Sequence, residues 1–104
     1  METDLTRRVA ENLNELVDEE TTRRFRELNI ITEISETGGG SIEVHFQPLS
    51  PYSPLAVTMG RDIKKAALAV EGVKSIRVEC SGHMMDDLVN KLVNKEENKQ
   101  NKPE

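Results

Sequence analysis

The sequence has no tryptophan, one tyrosine, two phenylalanines and one cysteine among 104 residues. With so few aromatics, a core must be built from Ile, Val, Leu and Met. The lone cysteine, Cys80, excludes an internal disulfide and fits a reducing compartment. No apolar run reaches the length of a membrane span, and the opening METDLTRR lacks the apolar stretch of a signal peptide. A surplus of positive charge is missing too. The formal net charge of −5 disfavours binding to nucleic-acid phosphates. The expectation is a cytoplasmic protein with no nucleic acid and no membrane among its partners.

What is present suffices for one domain with one modest core. Hydrophobic residues make up 36% and charged residues 32%, so surface dominates. Leu5, Val9, Leu13, Leu16 and Val17 share one helical face, which predicts a helix over 4–18 capped by Thr3 or Asp4. The charged stretch 18–26 reads as a connection with at most a short helical turn. LNIITEISE, from Leu28, and SIEVHFQP, from Ser41, read as a hairpin around Gly38, Gly39 and Gly40. In the second strand Ile42, Val44 and Phe46 alternate with Glu43, His45 and Gln47.

A second long helix is expected to begin at Ser53-Pro54, with Leu55, Met59, Ile63, Ala66, Ala67 and Val70 on its inner side and Gly72 as its stop. VKSIRVEC, from Val73, gives a third strand with Ile76, Val78 and Cys80 inward. Met84, Met85, Leu88, Val89 and Leu92 form a last amphipathic stretch. The polar remainder reads as a disordered tail, dividing the chain into a domain over 1–93 and a tail over 94–104. The fold class is thus α+β, in the order α-β-β-α-β-α, with a three-stranded sheet and helices mainly on one face.

Several residues invite chemistry. Serine is a preferred helix cap and proline a preferred first helical residue, so Ser53-Pro54 reads first as a cap. The same helix start can hold an anion or activate a thiol. Cys80 and His83 form a C-x-x-H pair, too few ligands for a structural zinc site. The other histidine, His45, points outward from another strand. Asp86 and Asp87 beside His83 read as acid–base equipment or, more simply, as first-turn carboxylates that favour the helix dipole. Met59, Met84 and Met85 read as core or interface, and Arg23 and Arg24 as a solvated face open to an acidic partner.

Taken in order, ELNIITEI from Glu27, LSPYSPLA from Leu49, VEGVKSIRVE from Val70 and SGHMMDDLVNKL from Ser81 resemble the iron–sulfur cluster assembly domain family. That family includes the SufT-type maturation factors, the PaaD proteins and the eukaryotic cytosolic iron–sulfur targeting factors. The resemblance covers about residues 5–93 and places the family's reactive cysteine on Ser53. Its D-P-E-L turn keeps Asp18, while Glu19 stands for the proline and Thr21 for the leucine. In the strand entry, Glu27 replaces an aspartate and Asn29 a glycine.

The resemblance implies a non-enzymatic accessory or adaptor in iron–sulfur cluster assembly or metalloprotein maturation, acting by protein binding. Its expected contact residues are Pro51, Tyr52, Ser53, Pro54, His83 and Glu27, and its partners iron–sulfur assembly or client proteins. No firm cofactor is expected, only iron or an iron–sulfur cluster held transiently. Alternatives stand beside it: a metal or cluster carrier using Cys80 and His83, including across a homodimer, or a degenerate structural or oligomerisation module. A hydrolase using Ser53, His83 and a carboxylate is the weakest, because the sequence identifies no base for the serine.

Overall fold

The computed structural model describes residues 3–101, with side chains as far as Lys95. Helix α1 (Asp4–Leu13) is followed by the single turn α2 (Phe25–Leu28), strands β1 (Ile31–Gly38) and β2 (Ser41–Phe46), helix α3 (Ala56–Leu68), strand β3 (Ser75–Cys80) and helix α4 (Asp86–Asn101). The sheet order is β1-β2-β3. β1 and β2 form the expected antiparallel hairpin, whereas β3 lies parallel to β2, with α3 as the crossover. The sheet is therefore mixed.

Register follows the alternation of the strands. Ile42, Val44 and Phe46 stand beside Ile76, Val78 and Cys80 and bury one continuous face. Leu5, Val9 and Leu13 of α1 and Met59, Ile63 and Ala67 of α3 close over that face. Thr3 caps α1 with a reciprocal box, its hydroxyl accepting the Thr6 N–H while the Thr6 hydroxyl accepts the Thr3 N–H at 2.7 Å.

α1 is shorter than its periodicity predicts. Beyond Leu13 the chain tightens into i→i−3 bonds, and Leu16 gives its carbonyl to Phe25 N–H at 2.8 Å. Val17 pairs with Arg24 in an isolated bridge. The backbone of residues 16–18 is thus claimed by a small hairpin and cannot continue the helix. Asp18, buried at its base, accepts the Thr21 N–H and hydroxyl, each at 2.9 Å. Thr22 follows at φ +60°, a strained value for a β-branched residue.

α4 extends past residue 93, where a polar tail was expected to begin. Its inner side packs closely on α3: a Cβ at Gly60 would stand 2.7 Å from Val93 Cγ2, so only glycine permits this approach. Lys64 donates to the Val93 carbonyl at 3.1 Å. Asn94 is tied to the backbone of β3, which makes it part of the packed domain.

Candidate functional site

Two loops meet at the end of the sheet where α3 and α4 start. The first, residues 49–55, is a set of nested turns. Tyr52 N–H donates to Ser50 Oγ at 3.0 Å, Ser53 N–H to the Ser50 carbonyl at 3.2 Å, and Leu55 N–H to Ser53 Oγ at 3.3 Å. The expected cap chemistry therefore comes early. Ser53 caps a turn that leads into α3, whose own cap is Leu55, and Pro54 precedes the helix instead of opening it. The physical reason is local: Ser53 satisfies the amide two residues on, the geometry of a serine turn.

The second loop, residues 81–85, is held from both ends. Ser81 N–H donates to the Phe46 carbonyl at 3.0 Å, continuing the parallel pairing, and Met84 N–H donates to the Pro51 carbonyl at 2.9 Å. His83 joins the loops through its ring. Nδ1 accepts the Met85 N–H at 3.0 Å, which puts the proton on Nε2, and Nε2 donates to the Ser53 carbonyl at 2.9 Å. Both ring nitrogens are therefore occupied. The ring faces the Ser53 backbone oxygen and is not available as a base for its hydroxyl.

Asp86 organises the same corner. Its carboxylate accepts His83 N–H at 2.8 Å and Gly82 N–H at 3.3 Å, and its charge acts on the Cys80 thiol. Burial first, and then the Asp86 charge, push the Cys80 thiol up to about 12 from 9.0. Asp86 does more than decorate a helix start, which spacing alone did not reveal.

The structure thus brings Pro51, Tyr52, Ser53, Pro54 and His83 together, with Cys80 behind them and Asp86 between. Glu27 belongs elsewhere: it is exposed on α2 and pairs with Arg23 at 3.2 Å. Cys80 and His83 do not converge as a ligand pair, since one is buried on an aspartate and the other bridges two loops. Among the described residues, no group of three or more His, Cys, Asp or Glu side chains is placed to hold a metal ion. Ser53, expected from the resemblance at the place of a cysteine, is buried and offers no thiolate. This donor set does not fit a thiolate-held cluster within one chain.

What the loops do expose is apolar surface. Met59 is core, but Tyr52 is 72% exposed, Met84 66%, Met85 50% and Leu49 44%. Asn90 and Asn94, which anchor α4 to β3, were also missed by periodicity, although the tandem L-V-N-K of residues 88–95 sets them one helical turn apart.

The domain is a helix, a hairpin, a helix and a strand, with a twice-turned, proline-bearing loop before its central helix. Residues 6–80 match the family described as iron–sulfur cluster assembly protein, and the chain belongs to that family. It is 25% identical over 71 residues to an uncharacterised protein of Methanocaldococcus jannaschii, covering 68% of this chain and 75% of that one. Its fold is similar to that of a crystallised domain of unknown function, DUF59, from Bacillus anthracis, with a TM-score of 0.69, 19% identity and 74% of each chain covered. At that identity the likeness speaks for the fold alone. Among the described residues, no helix is long and apolar enough to cross a membrane.

Proposed function

We propose that the protein is a non-enzymatic accessory of iron–sulfur cluster assembly, which binds assembly or client proteins through the joined loops 49–55 and 81–85. The observation that carries this reading is the clustering of Leu49, Tyr52, Met84 and Met85, all exposed, on two loops fixed to each other by the Met84–Pro51 and His83–Ser53 hydrogen bonds. Small domains seldom leave apolar side chains grouped on rigid loops without a use. Tyrosine supplies large contact area at low entropic cost, and methionine adapts to an uneven partner surface. Pro51 and Pro54 limit what ordering must cost on binding.

The alternatives are less well supplied. A hydrolase would need a base on the Ser53 hydroxyl, and the His83 ring is spent elsewhere. A carrier would need a Cys80 thiolate, which burial and Asp86 both oppose. A cytoplasmic setting fits the single reduced cysteine.

Affinity capture of the wild type beside a Tyr52→Ala/Met84→Ser variant tests the reading. Recovery of iron–sulfur assembly or client proteins by the wild type, and their loss from the variant, is the expected result. Equal recovery by both would move the contact surface off these loops. Purification of the protein with a stoichiometric, visibly absorbing cluster would overturn the adaptor role in favour of a carrier.

A further inference from the structure

We propose that the outward face of α4 is a self-association surface, on which a second copy of this chain lays its own α4 antiparallel. α4 and Met85, the residue just before it, carry apolar side chains in two directions. Val89 and Val93 face the core, while Met85, Leu88 and Leu92 are 50%, 45% and 37% exposed. The spacing of 85, 88 and 92 is the alternating three–four seam by which helices pair.

The charges beside the seam choose the occupant. Asp87, Lys91 and Lys95 form the adjoining ridge, one residue behind Leu88 and Leu92 at each turn. All three are exposed, and within the described residues none of them has an ion-pair partner. A two-fold axis midway between Leu88 and Leu92 brings each Leu88 against the partner's Leu92. Each Asp87 then falls between the partner's Lys91 and the partner's Lys95, about 3 Å along the axis from either at a rise of 1.5 Å per residue. In a parallel pair the two copies of this ridge would lie on opposite sides of the seam and would not meet. The acidic start and basic continuation of this ridge therefore complement an antiparallel second copy. A seam of three apolar residues is short, so the dimer is weak and concentration-dependent. Met85 belongs also to the second loop, whereas Leu88, Leu92 and the charged ridge lie beyond the loop pair and stand whether or not those loops engage another protein.

Sedimentation equilibrium of the full chain over a range of concentrations reads this out. The wild type is expected to show a monomer–dimer equilibrium that weakens as salt is raised. Asp87→Lys alone and Lys91→Glu/Lys95→Glu alone should each raise the dimer dissociation constant roughly tenfold or more. Mixing those two variants should produce a heterodimer, and the chain with all three charges reversed should dimerise again. Circular dichroism and thermal melts like the wild type's keep folding out of the comparison. A wild type that remains monomeric at every concentration overturns the proposal. So does dimerisation that none of the charge reversals alters, or a mixture that fails to associate.

Discussion

The thiol of Cys80 is buried in the core, on a strand residue paired with Phe46, and under the influence of the Asp86 carboxylate. Both conditions suppress the thiolate, which is the reactive form. The sign of the linkage follows. The folded thiol titrates near 12 against an ordinary 9.0, so its contribution to stability is complete below 9.0 and is lost as pH rises toward 12. The reactive state of this residue is therefore the unfolded one. Iodoacetamide at mildly alkaline pH should leave the native protein unmodified, and modification should rise with urea in step with the loss of circular dichroism. Rapid labelling of the fully folded protein would place the thiol at the surface and reopen a ligand role for it. His83, three residues on, is committed just as fully through two ring nitrogens. Its work is to hold Ser53 and Met85 in place, which keeps the two loops at one spacing.

At the scale of elements, the two sheet edges are closed by different devices. β1 carries register irregularities at both ends and an exposed glutamate, Glu33, which together discourage pairing with another strand. β3 is covered by side-chain amides. Asn94 donates to the Val78 carbonyl at 2.8 Å and accepts the Val78 N–H at 3.1 Å, and Asn90 does the same for Cys80. The match is geometric. Four helical residues rise about 6.0 Å and two strand residues about 6.6 Å, so asparagines one turn apart meet alternate residues of the strand. Asn94→Asp keeps the shape but cannot donate to the Val78 carbonyl. It should cost about 1–3 kcal/mol in urea unfolding, with Asn94→Ala at least as damaging and more prone to aggregate.

Strand alternation and helical spacing made Val44, Val78, Val9 and Ile63 readable as core, and their burial agrees. Ends of elements were harder to read. Leu16 and Val17 continue the apolar face of α1 in sequence, yet their backbone is taken by Phe25 and Arg24, contacts that only the fold creates. The loop pair shows the same limit. Pro51, Ser53 and Pro54 announced a rigid turn, but nothing in the sequence told that Asp86 would gather Gly82 and His83 around one carboxylate and act on Cys80.

For the molecule as a whole, one acidic side chain links regions far from the loops. Glu36 of β1 accepts the Thr3 hydroxyl at 2.8 Å, and so grips the cap of α1. It also accepts Gly40 N–H at 2.9 Å, which fixes the turn of the hairpin. That turn holds β3 as well, because the Gly40 carbonyl accepts Lys74 N–H at 2.8 Å. The first helix, the hairpin and the entry to the third strand therefore share one chain of bonds. The Gly40 amide and then the Thr3 hydroxyl lower the Glu36 carboxyl below its ordinary 4.5. A depressed folded value means the charged form is favoured by folding. Its stabilisation is complete above 4.5 and is lost as pH falls through the lowered value. Asp4 is also lowered, by Arg7 and then Arg8, so the wild type alone cannot assign acid sensitivity to either residue. Comparison with Glu36→Gln can, because Asp4 titrates equally in both chains and cancels. Urea unfolding across pH should show the wild type more stable than Glu36→Gln by a constant margin at neutral pH. That margin should then narrow as the solution is acidified below 4.5. A margin unchanged at acid pH would mean that the Glu36 charge adds nothing to the Thr3 and Gly40 contacts, leaving the packing of α1 on the sheet to hold the helix.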